Sequence, residues 1–163
     1  GVFSKNRVDI GSDVLIKAVM ENETNPKKIL DLGCGIGVIG IVLSEVLNCK
    51  ALLCDVNRRA LKLAKTNSNN NDVIVLESNG FKKIDGQLYI IITNPPNKAG
   101  KELFFSWFEE SKNHLVDEGR FYCVLLKKQG APSAKKKLFS IFGNCEVIAR
   151  ENGYYVLCST YYK

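Results

Sequence analysis

Three short stretches carry side chains that could do chemistry: Asp31-Leu-Gly-Cys-Gly-Ile-Gly, the lone Asp55, and Asn94-Pro95-Pro96. The last comes after the apolar run Leu-Tyr-Ile-Ile-Ile-Thr. Each proline fixes φ and removes a backbone donor, and the residue before it is pushed to extended geometry. Asn94 is therefore held rigidly at a strand end, pointing outward. Its side-chain carbonyl and the Pro95 backbone carbonyl can each accept one N–H of a planar amino group. Such a grip orients the nitrogen lone pair and favours a pyramidal, partly positive nitrogen. That is work by positioning and electrostatics, and it requires no nucleophilic residue, metal or histidine.

The glycine-rich stretch places Gly33, Gly35 and Gly37 at alternate positions after an apolar strand. Glycine lets a backbone turn tightly and approach a ligand closely. In the dinucleotide fingerprint G-x-G-x-x-G a pyrophosphate sits on the helix N-terminus. Here the third glycine falls one residue early, and Asp31 precedes the loop. A carboxylate repels a pyrophosphate but welcomes an ammonium, so the loop suits S-adenosylmethionine better than NAD. Asp55 ends the next strand, where an acidic side chain reaches a ribose. Asn79, after the third strand, sits where an adenine edge would lie, though an Asn there also suits a simple turn. Cys34, Val56 and Gly80 flank these positions and complete the expected cofactor set, with Asn94 at its far side.

Strand and helix patterns alternate along the whole chain. A helix is expected over 12–21 with Ser12 as its N-cap, then a strand running into the glycine loop and a helix over 38–47. A strand over 50–55 leads to a helix capped by Asn57, and two further strands end near Ser78 and at Asn94. A helix over 101–116, a strand over 119–128 and a helix over 131–143 precede two strands joined by Asn152-Gly153, a strong hairpin signal. The pattern predicts an α/β fold: a Rossmann-like three-layer α/β/α sandwich with a seven-stranded, mostly parallel sheet ending in an antiparallel hairpin strand. That arrangement is the one found in class I methyltransferases. All the candidate residues then fall at carboxyl ends of strands, where open α/β sheets bind ligands.

The chain has 163 residues, 45% of them hydrophobic and 25% charged, which suits one domain over 1–163. The segment 1–24 is expected to flank the cofactor site. No apolar run approaches the ~20 residues that span a bilayer, no signal peptide is visible, and no membrane partner is expected. The chain opens with Gly-Val-Phe rather than Met, as in a fragment or a processed chain. The six cysteines show no CxxC pair or metal-ligand spacing, which points to a reducing cytoplasm and no metal. His114 is the only histidine, which argues against a His-based triad, and it reads as a helix-surface residue. The net charge of +6, from 23 Lys+Arg against 17 Asp+Glu, favours a polyanionic partner.

The stretches DLGCGIGVIGI, DVNRRALKLA, ITNPPNKAGKE and KKQGA together resemble the small methyltransferase domain family, closest to archaeal single-domain relatives of the ribosomal RNA guanine-N2 methyltransferases. The opening GVFSKNRVDIGSDVLI is similar too, with Phe3, Asp9, Gly11 and Ser12 matching a segment that lines the cofactor and substrate mouth. The resemblance implies S-adenosylmethionine at Asp31, Gly33, Gly35, Gly37 and Asp55, with S-adenosylhomocysteine as product, and target-amine binding at Asn94, Pro95 and Pro96. It implies methyl transfer to an exocyclic amino group of RNA, guanine N2 of small-subunit ribosomal RNA. The sequence leaves the oligomeric state open, with a monomer expected. Asn97 departs from the aromatic or large apolar residue that many amino-group methyltransferases carry after Asn-Pro-Pro. Stacking on the target ring is then left to Phe3 or Phe81.

Lys98, Lys101, Lys127 and Lys128 are expected on the crevice edge, where they can meet phosphates. Phe3 and Asn97 join them as substrate-binding candidates. Lys135, Lys136 and Lys137 form a further basic run. Other readings stay open: methylation of transfer RNA, DNA adenine or protein glutamine, or a non-catalytic RNA-binding module that kept the fold. Asn97 weighs against the DNA adenine and glutamine readings, and an intact Asn-Pro-Pro weighs against the non-catalytic one.

Overall fold

The computed structural model describes residues 9–95 and 100–163. Five helices, α1 (Ile10–Asn22), α2 (Val38–Leu47), α3 (Arg58–Asn67), α4 (Lys101–Ser111) and α5 (Ala131–Phe142), surround a sheet. Its strands are β1 (Lys28–Leu32), β2 (Lys50–Asp55), β3 (Val73–Glu77), β4 (Leu88–Thr93), β5 (Leu115–Leu126), β6 (Glu146–Glu151) and β7 (Tyr154–Thr160). They form one seven-stranded sheet in the order β3-β2-β1-β4-β5-β7-β6. β1 to β5 pair in parallel, and β7 inserts antiparallel between β5 and β6. The Asn152-Gly153 turn that sends β7 back has positive φ at both residues, as a type I′ hairpin requires.

The central strands are apolar on both faces because both faces are covered. On one side Leu15 and Val19 of α1, Ile41 and Leu43 of α2 and Ala64 of α3 pack on Ile29, Leu53, Ile90 and Ile92. On the other, Trp107 and Phe108 of α4 and Leu138 of α5 pack on Leu30, Ile91, Phe121 and Leu157. The α/β/α sandwich expected from the alternation is therefore the observed architecture.

Boundaries differ from expectation at the start of α1 and around the α4–β5 junction, where α4 ends at Ser111 rather than at 116. Ser12 is not the N-cap of α1. Asp9 is, with its carboxylate accepting from the Ser12 backbone N–H at 3.2 Å and from the Ser12 hydroxyl at 2.8 Å. A carboxylate can accept both bonds at once, so the cap falls at Asp9 and the helix begins at Ile10. The fifth strand begins at Leu115 rather than Gly119, because Leu115 is buried opposite Leu88 and a bulge absorbs the residues before the Ile90–Arg120 pair. Glu118, at φ 65°, turns within it.

The far end of α1 is clamped. Glu23, almost fully buried, ion-pairs with Arg120 and accepts from the Tyr122 hydroxyl, which in turn accepts from Asn22 Nδ2 at 2.7 Å. Burial, with the neighbouring Cys158 and the hydrogen bond and charge of Glu23, pushes the Tyr122 hydroxyl well above its usual range.

α2 lies unusually close to the sheet, and Gly40 permits it: a Cβ there would sit 2.6 Å from Leu53 Cδ1 and 3.1 Å from Asp31 Cβ. Gly40→Ala should destabilise the chain by roughly 1–3 kcal/mol in urea unfolding, the cost of overpacking a filled core. An unchanged midpoint would contradict this packing.

Candidate functional site

The ends of β1, β2 and β4 meet at one edge of the sheet. β1 pairs with β2 through Leu32↔Cys54 and with β4 through Asp31↔Ile92. The buried Thr93 hydroxyl donates to the Leu32 carbonyl at 2.9 Å, tying the end of β4 to the end of β1. Asn94 is thus anchored beside the glycine loop, and Pro95 is buried behind it.

Gly33, Gly35 and Gly37 all adopt left-handed conformations, with φ of 68°, 55° and 88°. Gly37 is the N-cap of α2 and has no side chain to satisfy the helix's free N–H groups. Asp31 does this from the strand, its Oδ2 accepting from the Gly40 N–H at 2.9 Å. Its Oδ1 is buried and finds no partner among the described residues. Burial, outweighing the Gly40 bond and helped by the charge of Asp55, raises the Asp31 carboxyl to about 7. A buried carboxyl with one free oxygen is suited to a cationic partner.

Asp55 closes the loop from β2. Its Oδ2 accepts from the Gly35 N–H at 2.8 Å and its Oδ1 from the Asn57 N–H at 3.0 Å. Each oxygen keeps a lone pair for a hydroxyl donor. Around a Cβ built on Gly35 lies open space to 4 Å. Val56 and Asn79 are exposed at the same edge. Cys34 lies within the loop, half-buried, its thiol pushed up mainly by burial. Gly80, also left-handed at φ 58°, faces Trp107: a Cβ there would lie 2.8 Å from the indole Nε1. The same indole lies 3.2 Å from a Cβ built on Gly33. Trp107, the chain's only tryptophan, therefore backs the loop, a role sequence reasoning missed. Its solitary occurrence on an amphipathic helix was the available signal. Oδ1 of Asp31 and the Asp55 oxygens form a set of acceptors around the open space at Gly35, which fits the ammonium and hydroxyl donors of an amino-acid nucleoside.

On the other side of Asn94 a cavity of about 430 Å³ is lined by Asn94, Pro95, Lys101, Phe104, Gln129 and Tyr154, among others. Asn94 Nδ2 donates to Ser12 Oγ at 3.0 Å and to Asp9 Oδ2 at 3.3 Å. Among the described residues its Oδ1 accepts no bond. Lys101 reaches Ser133 Oγ at 3.3 Å. Lys127 and Lys128 are exposed in a single 3-10 turn just past β5, near Gln129 of the cavity wall. Lys137 is paired with Glu109 at 3.1 Å, so the triple-lysine run is partly neutralised. Phe3, Pro96, Asn97 and Lys98 lie outside the described residues. Phe81 does not serve as a stacking platform: it is buried and stacks on His114, ring centroids 4.7 Å apart. That contact also takes His114 off a free helix surface and into a 3-10 turn. Tyr154, which sequence reasoning did not single out, is the aromatic side chain that β7 brings to the cavity.

The methyltransferase small domain profile matches residues 1–158. The chain belongs to the methyltransferase small domain family. Its class is that of the S-adenosylmethionine-dependent methyltransferases. It is 40% identical to the uncharacterised YbxB protein of Bacillus subtilis (strain 168), over 96% of this chain and 81% of that protein. It is 33% identical to ribosomal RNA small subunit methyltransferase C of Cronobacter sakazakii, over 92% of this chain and 44% of that enzyme. The chain thus spans about half the length of these curated methyltransferase C relatives. In fold it resembles the T. thermophilus 16S rRNA N2 G1207 methyltransferase, solved with AdoMet and guanosine, at a TM-score of 0.84 and 20% identity over 98% of this chain and 45% of that one. A Pyrococcus furiosus methyltransferase superposes at 0.81 with 20% identity over 94% of this chain and 83% of that one. Both likenesses show a shared Rossmann-like methyltransferase fold.

The state of Asp31 makes stability and binding oppose each other. A carboxyl raised in the folded state favours folding below the unfolded range near 4, and that favour is lost as pH rises through about 7. The unliganded chain should lose stability over this interval. Asp31→Asn, which can keep the Gly40 bond, should flatten that loss and raise Tm at pH 8. The same variant should weaken S-adenosylmethionine binding in calorimetry. Parallel pH profiles for both proteins would contradict the assignment.

Proposed function

We propose that the chain transfers a methyl group to an exocyclic amino group of RNA, at guanine N2 of small-subunit ribosomal RNA. On this reading residues 1–163 act as one methyltransferase domain. It works as a monomer in the cytoplasm, where the six free thiols stay reduced. The observation that carries the reading is the placement of the Asn94 carboxamide. It follows directly on the strand beside the one that bears Asp31 and lines the cavity, with its NH₂ already engaged and its oxygen accepting no bond among the described residues.

When bound, S-adenosylmethionine supplies a methyl group on a positively charged sulfur, open to attack by an amine. Asp31 Oδ1 would hold the methionine ammonium, and Asp55 the ribose hydroxyls. Gly33, Gly35 and Gly37 let the backbone pass close to the ligand, with Cys34, Val56, Asn79 and Gly80 along its length. Asn94 Oδ1 and the Pro95 carbonyl would accept the two N–H groups of the target amine. Those bonds strengthen as the nitrogen gains positive charge, so they favour the transition state over the ground state. The proton leaves the alkylated nitrogen afterwards, to water, so no strong base is needed. Lys101, Lys127 and Lys128 would meet backbone phosphates beside the cavity. A paired guanine would first have to be flipped out.

The similarity to methyltransferase C relatives supports ribosomal RNA over transfer RNA, DNA or protein as substrate. Labelled cofactor incubated with separate pools of each polymer tests the choice, with label expected in ribosomal RNA. Label confined to another pool would overturn it. Asn94→Ala should lower kcat by roughly 10²–10³, as for loss of one transition-state hydrogen-bonding group. Its calorimetric affinity for the cofactor should stay close to that of the parent.

A further inference from the structure

The hydrogen bonds behind Asn94 run in one direction only. A carboxylate accepts and never donates. Asp9 Oδ2 therefore draws the Ser12 hydroxyl proton toward itself, at 2.8 Å. With its proton so committed, Ser12 Oγ offers a lone pair to its other neighbour, at 3.0 Å, and that neighbour must donate. Asp9 Oδ2 makes the same demand directly, 3.3 Å from the same amide nitrogen. Of the two ends of the Asn94 carboxamide only the NH₂ meets these conditions. Turned the other way, Oδ1 would face two acceptors.

We propose that Asp9 and Ser12 are positioning residues that set the orientation of the Asn94 carboxamide and so select an amino group, rather than a carbonyl, as its partner. The proposal rests on the reading of Asn94 as the group that grips the substrate amine. A primary amide is an acceptor at one end and a donor at the other, and the two ends have nearly the same shape. An Asn free to rotate would present a donor to the incoming amine for part of the time. Asp9 also caps α1 through the Ser12 N–H at 3.2 Å, so the hydrogen-bond chain that aims Asn94 is built into the start of a helix. That helix cannot drift, because its other end is held by Glu23 to Arg120 and Tyr122. Near its start Gly11 lies so close to Tyr154 that a Cβ would come within 3.0 Å of the ring.

Asp9→Asn separates this role from the capping one. Asn is as good an N-cap as Asp, and its oxygen can keep the bond to the Ser12 N–H. Its NH₂ would then donate to Ser12 Oγ, the hydroxyl would turn its proton toward residue 94, and the Asn94 amide would flip. The test compares the parent chain with Asp9→Asn, Ser12→Ala and Ser12→Thr. Each is labelled with [15N]asparagine, and the Asn94 side-chain signal is assigned by its loss in Asn94→Ala. In the parent this NH₂ should exchange slowly with water. In Asp9→Asn it should shift and lose protection, and kcat on ribosomal RNA should fall roughly tenfold or more while Tm, KM and cofactor affinity hold. Ser12→Ala should behave likewise in part. Ser12→Thr keeps the hydroxyl and should retain the parent signal and rate. An Asp9→Asn chain with an unmoved Asn94 signal and a parent-like kcat would overturn the proposal. If instead the signal responds as described but the parent methylates no RNA, the relay stands and the substrate reading fails.

Discussion

The rest of the site depends on one buried carboxyl. Asp31 sits at the end of the central strand with one oxygen satisfied by the Gly40 N–H and the other unpartnered among the described residues. Charge in that position is costly until a cation arrives. The cost is tolerated because the same carboxylate finishes a helix whose N-cap, Gly37, has no side chain of its own. Three features converge on that carboxyl group. Gly40 lets α2 come close enough to donate, the left-handed glycines bend the chain away from it, and Asp55 holds the bent loop by Gly35.

The neighbouring strand applies the opposite design. Where Asp31 is left wanting a partner, Asn94 has one end fully engaged. Thr93 ties it to β1, Pro95 stiffens the backbone after it, and Asp9 with Ser12 takes up the amide NH₂. α1 thereby links the site to the body of the sheet, since Glu23 fastens its last turn to β5. Asp31 lies in β1 and Asn94 follows directly on the paired strand β4, so strand spacing fixes the separation of the groups proposed to hold the cofactor and the amine.

Much of this is legible in the sequence because it is local. Glycines at alternate positions, an acidic strand end and an Asn between apolar residues and prolines each announce a backbone geometry within a few residues. The Asn152-Gly153 turn does the same for the reversed last strand. The remainder depends on residues distant in sequence. Trp107 backs a loop more than seventy positions earlier, and only the closed fold reveals that Gly33 and Gly80 leave room for it. Phe81 looks like an available aromatic until His114 is seen against it. The start of β5 is hidden by a bulge, since Leu115 and Val116 continue the apolar spacing of α4 and nothing local marks Glu118 as a left-handed residue. Ser12 reads locally as the cap of α1, and only the fold shows that Asp9 takes that place and that both side chains reach Asn94.

The most direct measurement is a crystal structure of the chain with S-adenosylhomocysteine and guanosine. The ligand's ammonium should lie within about 3 Å of Asp31 Oδ1, and the guanine amino group at a similar distance from Asn94 Oδ1. The sulfur and the amine should face each other across the gap between β1 and β4. An ammonium held elsewhere, or a guanine presenting its carbonyl to residue 94, would contradict the assignment of both groups.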